Sequence, residues 1–406
     1  MKIKEKLWLK ISLFNLLIVA ALGTIMRYKI GFEFPYFDQK NLQHAHSHFA
    51  FIGWVTHTLY VLITGLMQQD LPQMKVGKYK TLIAVNLVCA YGMLIAFAAQ
   101  GYNFVSITFS TISIITAYAF TGFLISDLRN CGDKPYKYWF TGALWFNVLS
   151  SIGTFSLAYM MATHNINQKG HLASIYYYLH FQYNGFFMFA CVGLFVTMLC
   201  RIVPGYVHNR MVFWLFFVSC VPAYFLSILW VKMPVWLFVV VILSAVAQVY
   251  AWFLFLHSVK PFWKRLHIPP VGRFLFTIIV IAVSIKLLLQ LGSTIPVISK
   301  LAFGFRPIII AYLHLVLLAI ISVFLITFMY LFGYLKVNRL ALYGLVIFVF
   351  GAYFNELILG LQGIASFSYN LIPYANEMLL IASVILFVSM IVLLLSQRKK
   401  VMVQPD

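Results

Sequence analysis

The chain has 406 residues, of which 63% are hydrophobic and only 9% are charged, and its formal net charge is +20. Soluble domains carry about 25% charged residues, so this composition excludes a soluble enzyme and predicts a polytopic membrane protein. The positive charge does not indicate nucleic-acid binding, because the Lys and Arg residues are scattered over short loops. Anionic lipid headgroups are the predicted partner of these cations.

Apolar runs of about 20 residues, long enough to cross a hydrocarbon core of about 30 Å, recur along the whole chain. Each run must be helical, because a helix satisfies its backbone hydrogen bonds within the segment. The sequence therefore predicts an all-α protein with twelve transmembrane helices in a single transmembrane domain, residues 1–406. Their expected positions are about 8–27, 44–67, 80–100, 103–126, 137–163, 172–200, 211–231, 234–257, 271–292, 307–333, 339–361 and 374–396.

Alternate loops of this topology hold most of the 29 Lys and Arg residues. Because cytoplasmic loops are enriched in Lys and Arg, both termini are predicted to be cytoplasmic. A bacterial inner membrane is the expected location. The first helix is expected to be a signal anchor. The five cysteines show no CxxC spacing and are expected to be packing residues.

Histidines stand out in three of the predicted helices. His44, His46 and His48 lie in the second, His180 in the sixth and His314 in the tenth. All three helices run from outside to inside in this topology, which places these imidazoles in the outer half of the bilayer. A single histidine would be explained by a hydrogen bond to a neighbouring helix, but the recurrence predicts a shared haem or metal site.

The remaining histidines are not expected to belong to that site. His57 lies too far along the second helix to share a metal with His48. Five others are expected to be solvated or interfacial: His164, His171, His208, His257 and His267.

The run from His46 to Trp54, HSHFAFIGW, is similar to the HxH…GW pattern on haem-ligating helices of the haem–copper oxidase superfamily. The chain thus resembles a divergent member of the cytochrome c oxidase subunit I-like catalytic subunits, in their cbb-type and nitric oxide reductase-like branch, which have a core of twelve helices. The resemblance implies one low-spin haem held by His46 or His48 together with His314. It also implies that His180 occupies the position of a copper ligand.

Departures from the family's pattern limit this resemblance. Asn184 follows His180 by four residues, where the family has Tyr or Glu. The seventh helix has no histidine pair, and the tenth has one histidine instead of two. The resemblance therefore implies a haem-binding redox protein without a complete haem–copper centre, which puts copper in doubt. Its electron partner would be quinol, a cytochrome donor or a small gas.

Two charged residues are also expected at membrane depth, Lys286 in the ninth helix and Glu356 in the eleventh. An intramembrane charge marks a functional candidate, because burying it costs several kcal/mol unless it is paired. They could pair with each other, Lys286 could bind a haem propionate or a quinone headgroup, and Glu356 could relay protons. A purely structural pair, or side chains that extend to the membrane interface, explains them equally well. Two other functions also stay open: a transporter or metal permease lined by these residues, and a non-catalytic assembly or sensor protein.

Overall fold

The computed structural model describes residues 4–165, 167–203, 205–263, 266 and 268–398. In this part of the chain twelve helices are long and apolar enough to cross a membrane, which confirms the all-α, multi-pass prediction. We number them α1 (Glu5–Gly31), α2 (Gln39–Asp70), α3 (Val76–Gln100), α4 (Phe104–Arg129), α5 (Pro135–Ala162), α6 (Gln168–Ile202), α7 (Arg210–Ile228), α8 (Val235–Trp263), α9 (Pro270–Gly292), α10 (Arg306–Leu331), α11 (Arg339–Phe367) and α12 (Ala375–Ser396).

Several helices are longer than the apolar runs that predicted them, because residues of their first and last turns continue the helix beyond those runs. The structure also adds a short helix, Pro296–Gly304, between α9 and α10. Near the end of α7, Pro222 lies inside the helix, and a 3₁₀ turn follows at Tyr224–Ile228. His267 and the inner-loop cations Lys2, Lys264, Arg265, Lys399 and Lys400 lie outside the described residues.

Asp and Asn side chains begin four of the spans. Asp38 caps α2 by accepting a hydrogen bond from the backbone N–H of Asn41 at 2.9 Å. Asn167, Asn209 and Asn338 cap α6, α7 and α11 in the same way. Because the first N–H groups of a helix have no partner within it, these caps fix where the helices start.

The helices fall into two compact units. The first contains Met1–Gln69, Lys75–Thr116 and Ser322–Asp406, and the second contains Asp70–Met74 and Ala117–Ile321. In the first unit α2 packs against α1 and α3, while α12 packs against α1 and α11. In the second unit α5 packs against α6, and α8 packs against α7 and α9.

The core of each unit is apolar and rich in aromatic side chains. Trp54, Tyr60 and Phe49 of α2 are fully buried in the first unit, as are Trp139 and Phe140 of α5 in the second. All five cysteines are free thiols, and four of them are buried, as expected for packing residues.

Candidate functional site

Three spans contain a π-helical stretch, and each stretch begins immediately after a predicted site histidine. In α2 the α-helix ends at His48 and the π-helix covers Phe49–Thr56. In α6 it ends at His180, before Phe181–Phe187, and in α10 it ends at His314, before Leu315–Ser322. π-Helical turns are rare and are found frequently at functional sites, so these junctions mark the same three helices that the sequence selected.

In α2, asparagines of neighbouring helices hold the π-helical stretch. The Asn15 Nδ2 group of α1 donates to the Gly53 carbonyl at 2.6 Å, and Asn86 Nδ2 of α3 donates to the Ile52 carbonyl at 3.2 Å. Asn15 also accepts a hydrogen bond from the Tyr91 hydroxyl at 2.8 Å. Irregular backbone at membrane depth requires such partners, because no water is there to bond its carbonyls.

His46 points towards α1. Its Nδ1 lies 3.1 Å from the Val19 carbonyl, and a side chain at Gly23 would place its Cβ 3.4 Å from the imidazole Cε1. A ring that donates Nδ1–H to a carbonyl carries its lone pair on Nε2. Metal-ligating histidines are commonly oriented in this way, so His46 could hold a metal or a haem iron through Nε2.

His44 and His48 are four residues apart and share another face of α2, against the end of α3. The His48 ring stacks on Phe97 with centroids 4.3 Å apart, and its Nε2 lies 3.2 Å from the Tyr102 hydroxyl. His44 meets the Tyr102 ring edge-on at 4.7 Å. Burial raises the pKa of the Tyr102 phenol. The hydroxyl therefore stays protonated and can donate a hydrogen bond to Nε2 of His48. These two histidines belong to an aromatic cluster, and His46 is the better ligand candidate of the three.

His180 is fully buried and both of its ring nitrogens have protein partners. Its Nε2 donates to the Cys220 carbonyl at 2.9 Å, and its Nδ1 accepts from the Asn184 amide at 3.1 Å. The Cys220 carbonyl is available because the Tyr224 N–H bonds to the carbonyls of Val221 and Pro222 instead. A metal at His180 would have to displace Asn184 or break the bond to Cys220, and metal ligation there stays a prediction.

His314 hydrogen-bonds within its own helix, with Nδ1 2.9 Å from the Ile310 carbonyl. This bond again leaves the lone pair of the imidazole on Nε2. His314 belongs to the second unit and His46 and His48 to the first. A haem shared by His314 and the α2 histidines therefore stays a prediction.

Lys286 and Glu356 also lie in different units. Glu356 is half-buried, and its Oε1 accepts from the Asn355 amide at 3.1 Å. Lys286 is buried and borders a small cavity of the second unit, together with Asn184, Cys220 and Gln248. Sequence reasoning missed Gln248 and assigned Cys220 only to packing, since neither residue belongs to a motif. The suggested pairing of Lys286 with Glu356 stays a prediction.

The prediction that His208 is solvated or interfacial is wrong. This loop histidine is buried, and its Nε2 accepts a hydrogen bond from the Trp139 indole N–H at 2.9 Å. Burial, followed by the charge of Arg210, lowers the pKa of His208 to about 4. His171, which precedes the predicted sixth span of about 172–200, lies in the first turns of α6. Nothing in the sequence near His208 signals that a tryptophan of α5 covers it.

No known family model matches this chain, and no curated protein sequence matches it. Among the described residues, no three His, Cys, Asp or Glu side chains are grouped so that they could hold a metal ion.

Proposed function

We propose that this chain is a haem-binding redox protein of a bacterial inner membrane, with one low-spin haem held by His46 and His314. The observation that carries the proposal is the α-to-π junction that lies two residues after His46 in α2 and directly after the candidate histidines of α6 and α10. Packing alone gives no reason for the same rare backbone feature to follow these histidines. When bound, a haem iron with two imidazole ligands supplies one-electron transfer.

The backbone carbonyls that orient the two imidazoles support this assignment. The Val19 carbonyl holds Nδ1 of His46, and the Ile310 carbonyl holds Nδ1 of His314, so in this tautomer each ring carries its lone pair on Nε2, the atom that would ligate the iron. Carbonyl bonds of this kind also raise the basicity of a ligand imidazole. The π-helical stretches begin three residues after His46 and directly after His314. They change the helical register, so the side chains that follow take different directions from those of a continuous α-helix.

His180 supports a centre with haem and without copper. Its two ring nitrogens are bonded to Cys220 and Asn184, and the seventh span, Arg210–Ile228, contains no histidine. Electron exchange with quinol or with a cytochrome donor is part of this proposal, because a haem without a copper partner carries single electrons.

The test is a reduced-minus-oxidised optical spectrum of protein purified in detergent from haem-replete cells. We expect a Soret shift and sharp α-bands in the wild type, and their loss in His46→Gly and His314→Gly. Added imidazole should restore the bands in both variants, because it can occupy the vacated ligand position. His48→Gly and His171→Gly are the matched controls and should keep the wild-type spectrum.

Loss of the bands in His48→Gly, with His46→Gly unchanged, would assign the ligand to the other face of α2. A wild-type protein without a chromophore, with metal analysis also empty, would overturn the haem proposal. In that case a flux assay in liposomes would decide between a transporter and a non-catalytic membrane protein.

A further inference from the structure

Lys286 is a buried lysine of α9, and the acidic residues of its unit all lie far from it along the helices. Its side chain is only 3% exposed. The acidic residues of the second unit are Asp70, Asp127 and Asp133. Asp70 is the last residue of α2, Asp127 lies in the last turn of α4, and Asp133 lies in the loop after it.

These carboxylates lie near the end of the unit where α9 begins, whereas Lys286 lies far from that end. Asp70 accepts from Arg201 of the last turn of α6 at 2.9 Å. In the following loop Tyr206 contacts Phe262, near the end of α8, with ring centroids 5.7 Å apart. Lys286 follows the start of α9 by 16 residues, which is about 24 Å of helix. No carboxylate of this unit therefore neutralises it.

The cavity beside Lys286 contains a second polar side chain that has no hydrogen bond. Gln248 of α8 is 5% exposed, and within the described residues neither it nor Lys286 hydrogen-bonds another side chain or a backbone group. Among the other polar side chains of the wall, the Asn184 amide N–H donates to His180, and the indole N–H groups of Trp139 and Trp252 donate to His208 and Ser284. The Asn184 Oδ1 accepts no hydrogen bond within the described residues.

The volume of this cavity limits what can bind there. The cavity volume is about 30 Å³. Because a cavity needs about 10–15 Å³ to hold one water, this cavity holds a single small ion or two waters. A buried ammonium without a counter-charge costs several kcal/mol, and a bound anion removes that cost. The Gln248 amide can add a second donor, because hydrogen bonds to a charged partner are stronger than neutral ones.

We propose that this cavity binds one small monovalent anion, of halide size, between the Lys286 ammonium and the Gln248 amide. The site does not depend on the proposed haem, since its polar contacts come from α8 and α9. Larger oxyanions such as sulfate do not fit the volume. The anion replaces the carboxylate partner that the sequence of this unit lacks.

The test is halide-dependent stability of the full-length protein in detergent. Thermal unfolding is measured while sodium chloride or bromide replaces sodium gluconate at constant ionic strength. We expect the midpoint to rise and saturate with halide, because an anion bound only by the folded state stabilises it. Sodium sulfate should give no saturable rise, because its general stabilising effect increases steadily with concentration.

Two variants and one matched control assign the effect to the cavity. Lys286→Gln should abolish the halide dependence, and Gln248→Leu should weaken the halide affinity about tenfold, since it removes one charge-assisted hydrogen bond. Lys169→Gln removes an exposed lysine in the first turn of α6 and should respond to halide like the wild type.

A wild-type midpoint that does not change with halide overturns the proposal and leaves a Lys286 that is neutral, bonded to water or paired with Glu356 as the sequence suggested. The same halide response in Lys286→Gln as in Lys169→Gln overturns it too. If Lys286→Gln does not fold, an unchanged halide affinity in Gln248→Leu serves as the refutation. The haem spectrum is recorded on the same preparations, so failure of the anion site is distinguished from failure of the proposed redox function.

Discussion

Replacing Asn15 with alanine tests how the π-helical stretch of α2 is held. The Asn15 side chain is fully buried and bridges three helices, donating to the Gly53 carbonyl at 2.6 Å and accepting from the Tyr91 hydroxyl at 2.8 Å. Asn15→Ala removes both hydrogen bonds at once. It leaves a carbonyl of the irregular backbone and a phenol hydroxyl without their partner.

The expected loss can be estimated from these two bonds. An interhelical hydrogen bond in a membrane protein contributes about 0.6 kcal/mol on average and up to about 1.7 kcal/mol. A buried polar group that loses its partner costs about 1–3 kcal/mol. Because the bond to Gly53 is short and buried, we expect Asn15→Ala to lower the free energy of unfolding by about 2 kcal/mol. Asn86→Ala, which removes one longer bond to Ile52, should cost about 1 kcal/mol.

The assay is equilibrium unfolding by titration of SDS into mixed micelles, with Tyr91→Phe and the Asn15→Ala/Tyr91→Phe double variant included. Tyr91→Phe alone should cost about 1 kcal/mol. The double variant should be no less stable than Asn15→Ala, because the hydroxyl it removes has already lost its partner. Additive losses in the double variant, or a loss below about 0.5 kcal/mol for Asn15→Ala, would refute the bridging role.

Gly153→Ala should destabilise the second unit by about 2 kcal/mol, because the added Cβ would lie 2.5 Å from the backbone oxygen of Ser174 in α6. Thermal unfolding measures this loss, and the control is Gly122→Ala, whose Cβ has no atom within 4 Å. The pKa of His208 is lowered to about 4 from 6.5, so the unfolded chain takes up its proton first and stability should fall as the pH drops from about 6.5 to about 4. Thermal unfolding at pH 7 and pH 5 should show a smaller loss for His208→Gln, which keeps an acceptor for Trp139; an equal loss in variant and wild type would contradict the assignment.

The twelve spans could be predicted because lipid leaves a chain few choices. Apolar runs of sufficient length must form helices in the membrane, whatever their neighbours are. The sequence could not predict the short helix Pro296–Gly304 or the breaks inside the spans. The π-helical stretch Phe49–Thr56 reads as continuous apolar sequence, and its carbonyls are bonded by Asn15 and Asn86 from distant parts of the chain.

For the candidate site residues, too, the sequence predicted part of the result and tertiary structure decided the rest. Composition and spacing selected the histidines of α2, α6 and α10 and the intramembrane Lys286, because polar groups are conspicuous in apolar runs. Tertiary structure decided which partners they have. It set His46 against the Val19 carbonyl, enclosed His180 between Cys220 and Asn184, and placed Gln248 at the same cavity as Lys286.

The sequence by itself determined that this protein is a multi-pass helical membrane protein, since hydrophobicity and helix length are local properties of the chain. Only the tertiary structure decided that His208 is buried under Trp139 and that Lys286 lies in a unit whose carboxylates are elsewhere. The physical reason is that hydrogen-bond partners and counter-charges come from helices far apart in sequence. No local pattern records which of those helices pack together.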